Sequence, residues 1–304
     1  MNWIEDFGKK LWEILKDAKK NFQRGEPIVY SAAIAFFTIF SLPAILLVIT
    51  LVGSAFFSQE RVRDKIVEQV EGLISNEAGE QVGTVLENVV DVPAGFWGIL
   101  VGVVVILKSA TIMFFIMQKA LNAVWQVRVK PKVNYLEFLK HRLVTLAIVA
   151  GLGFLLTLSL LLDTFISMFR EELIRLLEEY FSSTVRAINT TFYLLVVLVF
   201  FTSIHRLLPD ARVKWKDALA GGIITSILFL IGKQIINFIL SSIKVVGIYA
   251  AAGSLVILLL WVFYSSVILM LGAEVTKAYA NNHGRKVEPN SIADKYERVR
   301  GGES

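Results

Sequence analysis

Cysteine is absent from the 304-residue chain, which excludes a disulfide framework, a thiolate nucleophile, a cysteine metal site and palmitoylation. Histidine is scarce: His141, His205 and His283 stand far apart, with no HxH or HExxH spacing. Metal-dependent RNA hydrolysis needs clustered Asp, Glu or His to hold divalent ions and activate water. The acidic residues instead concentrate in segments that read as extracytoplasmic, away from cytoplasmic RNA. Neither GxxxxGK(S/T) nor a GxSxG elbow is present, so no phosphate loop and no serine-hydrolase turn is expected. Charge is also sparse, at 19% of residues against about 25% in soluble domains. With 55% hydrophobic residues and a mean hydropathy of +0.63, a soluble enzyme and a disordered chain are both excluded. The chain reads as a non-enzymatic, all-α polytopic membrane protein without a cofactor or metal.

The first 27 residues form a polar but patterned segment. Trp3, Phe7, Leu11, Ile14, Leu15, Ala18 and Phe22 recur at helical spacing, and Lys9, Lys10, Lys16, Lys19 and Lys20 occupy much of the remainder. This predicts either an interfacial helix on an anionic leaflet or an amphipathic helix packed on the bundle. The segment lacks the short apolar core of a signal peptide.

A membrane domain is expected over residues 28–280, with spans at about 28–57, 92–117, 143–168, 187–204, 218–243 and 245–275, each judged against the roughly 20 residues a crossing needs. Pro43 near the middle of the first span predicts a kink. Sorting the basic residues by connection gives 21 Lys and Arg on one side against 7 on the other. By the positive-inside rule both termini are then cytoplasmic. The pI of about 9.3 is thus a topology signal and not a nucleic-acid signal. Residues 281–304 read as a polar, mobile cytoplasmic tail. Trp125 and Trp215, at expected cytoplasmic boundaries, read as interface anchors.

The outside loop 58–91 predicts two amphipathic helices, from Val62, Ile66, Val70, Leu73 and Ile74 and then Val82, Val85, Leu86 and Val89. They carry Glu60, Glu68, Glu71, Glu77, Glu80, Glu87 and Asp91, and a similar acidic stretch spans Arg170 to Phe181. These helices either cap the bundle or form an acidic vestibule that concentrates cations.

Several motifs then point to one family. Tyr30-Ser31-Ala32-Ala33-Ile34-Ala35-Phe36-Phe37 runs into Ser41-Leu42-Pro43, and Ala120-Leu121-Asn122-Ala123-Val124-Trp125 follows. Arg206-Leu207-Leu208-Pro209, Trp215-Lys216-Asp217-Ala218-Leu219-Ala220-Gly221-Gly222, Ile248-Tyr249, Gly253-Ser254, Trp261 and Leu271-Gly272-Ala273-Glu274 complete the set. In order and spacing these residues resemble the YihY/BrkB family of bacterial inner-membrane proteins, over roughly residues 25 to 280. The family usually has Tyr-Gly where this chain has Tyr249-Ala250, so a glycine-specific turn at 250 loses its basis. The resemblance implies six spans with both ends in the cytoplasm, and it implies little about substrate. The family's old ribonuclease label is widely regarded as a misassignment; lipid or envelope-precursor translocation is the more recent suggestion.

Charges at membrane depth are the remaining chemical signal, since each costs about 2.5–3.5 kcal/mol near the bilayer centre and calls for a partner, a wet cavity or snorkelling. Lys108 falls about 18 Å past Phe96, near the midplane; Lys233 falls about 22 Å past Ala218, and Asp163 about 30 Å past Leu143, close enough to meet it. Lys108 and Lys233 either hold the bundle together through ion pairs or line a cavity, with Asp163 and Tyr249, that attracts an anionic headgroup. Glu274 reads as a structural partner of Arg206, Lys119 or a helix end, with proton coupling as the alternative. Ser31, Ala32 and Ala35, Gly151 and Gly153, Gly221 and Gly222, and Ala250 to Gly253 permit close helix packing. Alternatively Pro43, the glycine pair and the run through Gly253 let helices bend. Trp261 belongs with the structural candidates.

The leading expectation is an inner-membrane transporter or flippase-like protein that moves an amphipathic or anionic substrate, lipid included. The alternative is a non-transporting scaffold for envelope partners. Membrane lipids are the expected partners, with a homo-oligomer or an envelope protein also compatible and nucleic acid not expected.

Overall fold

The computed structural model describes residues 2–54, 58–73, 76–90, 112–131, 180–242 and 253–296. Among them are the helices α1 (Asn2–Arg24), α2 (Pro27–Ser54), α3 (Gln59–Leu73), α4 (Asn76–Val90), α5 (Ile112–Trp125), α6 (Tyr180–Leu207), α7 (Trp215–Ser242) and α8 (Gly253–Asn282). Two short strands, β1 (Val127–Val129) and β2 (Ala293–Lys295), complete them.

Helix ends follow local chemistry. Between α1 and α2, Glu26 takes a φ of 53°, and Pro27 then opens α2 at the one helical position where its missing N–H is harmless. Helix α6 stops two residues before Pro209, and Asp217 sits in the first turn of α7, where a carboxylate favours the positive end of the helix dipole. Helix α8 closes in a Schellman turn. Gly284 at φ 66° gives its N–H to Asn281 O, and the Arg285 N–H bonds Ala280 O.

The helices are inside out relative to a water-soluble fold. In α2, Ser31, Ser41 and Thr50 are buried, while Ile28, Val29, Phe36 and Phe40 lie outside, Phe40 at 67% exposure. In α7 the outward row is Leu219, Ile223, Ile227, Ile231, Ile235 and Phe238, one residue per turn. The opposite side is small and polar: Gly221, Gly222, Thr225, Ser226 and Gly232 are buried. Leaving such side chains in water forfeits about 1.5–3 kcal/mol each, so the outward rows belong in lipid. Helices α7 over Trp215–Ile236 and α8 over Leu255–Asn282 are long and apolar enough to cross a membrane. A third crossing is reached if Gly8–Arg24 and Pro27–Pro43 count as one broken span. Six spans are therefore met only in part: residues 91–111, 132–179 and 243–252, which hold most of the second and all of the third expected span, lie outside the described residues.

The chain divides into two compact units. The first comprises Met1–Gly25, Leu121–Ser226 and Leu271–Ser304. Here α1 seats Ile14 and Ala18 on Val275 and Ala278 of α8. The strands pair antiparallel, Val127 with Lys295 and Val129 with Ala293. Arg212 N–H bonds Glu288 O, and Asn290 N–H bonds Asp210 O, tying the α6–α7 loop to the segment after α8. Trp125, Val127, Ala211, Val213, Ala218 and Ala293 form the core beneath.

Two expectations are corrected here. The C-terminal tail is not mobile through residue 296, because backbone pairing with β1 and the loop satisfies its polar groups and buries Ile292 and Ala293. Trp125 is not an interface anchor; it is a core residue of this small sheet, whereas Trp215 is about half exposed.

The second unit comprises Glu26–Ala120 and Ile227–Met270. Its α3 and α4 are the two amphipathic helices expected for the loop, and they rest on α2 through Leu46, Val82 and Leu86. Helix α2 runs on through Pro43; Ser41 Oγ donates to Thr38 O, and Thr38 and Thr50 donate to Ile34 O and Leu46 O.

Candidate functional site

The first unit contains a polar layer where α6, α7 and α8 converge. Helices α7 and α8 carry the same five-residue pattern, Gly221-x-x-x-Thr225 and Gly272-x-x-x-Thr276. In each, the threonine hydroxyl donates back to its own glycine carbonyl at 2.9 Å. The pairing between them is reciprocal. A β-carbon at Gly221 would collide with Thr276 Oγ1 and Gly272 O, and one at Gly272 would collide with Thr225 Oγ1. Each glycine thus supplies the gap that the other helix's threonine fills, the close approach that small residues allow between membrane helices. Gly222 makes the matching contact to α6, where a β-carbon would strike Thr202 Oγ1 and lie 3.0 Å from the Thr202 backbone.

His205 of α6 enters this clasp fully buried, with Nε2 3.0 Å from Thr225 Oγ1. The single Thr225 hydroxyl proton is committed to Gly221 O, so Thr225 accepts and His205 Nε2–H donates. In its neutral form His205 therefore presents a bare Nδ1 lone pair. Neither that Nδ1 nor Thr202 Oγ1 has a hydrogen-bond partner among the described residues.

Next to the clasp lies a fixed latch. Asn122 of α5 holds Asp210 with both ends of its amide: Nδ2 donates to Asp210 Oδ2 at 2.6 Å, and Oδ1 accepts the Asp210 N–H at 2.7 Å. Arg285, delivered by the Schellman turn, pairs with Asp217, which is wholly inaccessible to solvent. Lys277 Nζ donates to Val124 O at 2.7 Å, and the Arg206 guanidinium lies 5.9 Å from the Trp215 ring centroid.

Of the residues singled out in the sequence, the clasp gathers Gly221 and Gly222, and Glu274 is buried on α8 two residues past Gly272. Arg206 lies over the Trp215 ring at the start of α7. Lys233 is half-buried on α7, and Pro43 lies exposed on α2. Trp261 is buried against Phe229, ring centroids 5.2 Å apart, one turn before Tyr264, whose hydroxyl donates to Leu228 O at 2.6 Å. Gly253 opens α8. Lys108, Asp163 and Tyr249 lie outside the described residues. Sequence reasoning missed His205, Thr225, Thr276 and the Asn122–Asp210 clamp; the repeated Gly-x-x-x-Thr spacing was the available signal for the threonines.

The chain matches the family described as Virulence factor BrkB over residues 18–296. It is 26% identical over 285 residues to UPF0761 membrane protein Mpe_A1422 of Methylibium petroleiphilum, covering 88% of this chain and 62% of that one. A UPF0761 membrane protein of Legionella pneumophila strain Corby is 23% identical over 296 residues, 94% of this chain and 67% of its own. A third, from Janthinobacterium, is 26% identical over 58% of this chain and 39% of its own. The chain thus spans about two fifths to two thirds of the length of these relatives. No solved structure matches it.

Proposed function

Because the chain belongs to the BrkB family of membrane proteins, we propose that it moves an amphipathic or anionic substrate across the bilayer, with lipid as the first substrate class to test. The observation that carries this reading is the inverted polarity of α7, whose apolar row faces outward while Gly221, Gly222, Thr225, Ser226 and Gly232 turn inward beside the half-buried Lys233. A buried polar surface in lipid is costly unless it serves water, a partner or a substrate. Nδ1 of His205 and the Thr202 hydroxyl, both without a partner among the described residues, fit such a use.

Six spans, both termini cytoplasmic and a bacterial inner-membrane location belong to the same reading and rest on the asymmetry of basic residues. The chain acts without cofactor or catalysis, and Lys108 joins Lys233 in attracting the anionic group. The test is scrambling of headgroup-labelled lipid in proteoliposomes. Wild-type protein should exceed protein-free vesicles, and the Lys108→Met/Lys233→Met variant should fall to their level. Equal rates for variant and wild type would remove this mechanism.

The scaffold reading has its own support in the latch, where Asn122–Asp210, Arg285–Asp217 and the β1–β2 pair fix a rigid polar platform. It predicts no scrambling by the wild type.

A further inference from the structure

Helix α1 has two faces with different neighbours. Ile14 and Ala18 are buried on Val275 and Ala278 of α8, with Ile224 of α7 packed at the edge. Ile224 and Val275 each immediately precede a clasp threonine, so α1 lies directly on the outer side of the Gly-Thr crossing. The face turned away from this contact carries Trp12, 70% exposed. At about 100° per residue, Lys9, Lys16 and Lys19 fall within about 60° of Trp12, and all three are exposed. The exposed carboxylates Glu13 and Asp17 lie about 100° and 140° around the helix from Trp12. The free face therefore carries an indole among three exposed ammonium groups, and Glu5, about 20° from Trp12, is the one carboxylate at the same azimuth, leaving the face net positive.

We propose that this face binds the anionic headgroup surface of the bilayer, with Trp12 at the headgroup–acyl boundary and Lys9, Lys16 and Lys19 against lipid phosphates. Tryptophan prefers that boundary because its ring is apolar and its N–H polar. Each lysine near an anionic surface strengthens the contact about 5-fold. The docked face holds the helix to α7 and α8, and α7 turns the apolar side chains of Leu219 and Ile223 outward at the level of Ile224. A bilayer is thus the occupant continuous with surfaces the same unit presents. The consequence is regulatory: headgroup charge would set how firmly α1 presses on the clasp. The inference requires membrane embedding and does not depend on transport, since a scaffold would make the same contact.

The absence of cysteine supplies the test. Gly8 lies on the same face about 40° from Trp12, and a side chain there meets no described residue within 4 Å. A nitroxide on Gly8→Cys, with Asp17→Cys as the off-face control, is read in the full chain reconstituted in nanodiscs of phosphatidylcholine with or without phosphatidylglycerol. Adding phosphatidylglycerol should shield position 8 from a water-soluble nickel relaxer and raise its accessibility to oxygen, leaving position 17 in water. Lys9→Gln, Lys16→Gln and Lys19→Gln should each loosen the contact about 5-fold, and the triple variant should lose the shift at physiological salt. Equal nickel accessibility in both lipids overturns the proposal. Shielding already complete in phosphatidylcholine, as a second copy of the chain would give, overturns it equally.

Discussion

His205 Nε2 donates to Thr225 Oγ1 across 3.0 Å while the same hydroxyl donates onward to Gly221 O. This two-step chain joins α6 to α7 at the point where Gly272 of α8 leaves no room for a methyl group. One hydroxyl therefore fixes the tautomer of a buried imidazole and contributes to the packing of three helices.

Thr225→Val should strand the buried His205 N–H and destabilise the chain by about 1–3 kcal/mol, the cost of an unsatisfied buried donor. Thr225→Ser, which keeps the hydroxyl, should stay close to wild type. Thermal unfolding in detergent compares the two; indistinguishable midpoints would mean that the hydroxyl is not an acceptor.

Gly272→Ala drives its new carbon into Thr225 Oγ1 and to 2.7 Å from His205 Nε2. Overpacking of this kind costs about 1–3 kcal/mol, and Gly221→Ala, which meets backbone at Gly272 O, should be at least as severe. By contrast Gly8→Ala enters open space and should stabilise α1 slightly, by about 0.5–1 kcal/mol. The order of the three melting midpoints is the readout.

Arg285→Ala leaves the Asp217 carboxylate buried without its cation, a loss of about 3–5 kcal/mol for a buried pair. Arg285→Ala combined with Asp217→Asn should recover part of that loss, because the uncompensated charge is gone. A double variant no more stable than Arg285→Ala alone would show that the pair's charge is not what matters there.

Asn122→Asp replaces the donor that meets Asp210 Oδ2 at 2.6 Å with a second carboxylate. The α6–α7 loop should then detach, exposing the backbone around Ala211 to protease while the lipid-facing helices remain intact. Limited proteolysis with mass mapping detects this, and an unchanged cleavage pattern would count against the clamp.

The sequence made the lipid-facing half of the molecule legible because lipid burial leaves long uncharged runs, and α7 and the α3–α4 pair emerge close to where periodicity puts them. Helix α8 runs to Asn282, beyond the expected end at 275, with its added turns fixed by Lys277 on Val124 O and by the Schellman turn. The latch stayed hidden for a different reason. Asn122 and Asp210 are 88 positions apart, and β2 is only Ala-Asp-Lys, too short for an alternating pattern to register. Trp125 misled because an aromatic at an expected boundary serves a buried sheet as readily as a membrane surface. His205 stood out only as a lone histidine, since its partner lies on another helix.

The latch also imposes an order of assembly. Its β1 and loop partners, near residues 127 and 211, are made long before residues 285–296, which complete them. Translation runs from the N-terminus, so α6 and α7 are made while Asp217 still lacks Arg285. The Arg285–Asp217 pair can therefore close only after α8 and its Schellman turn have formed.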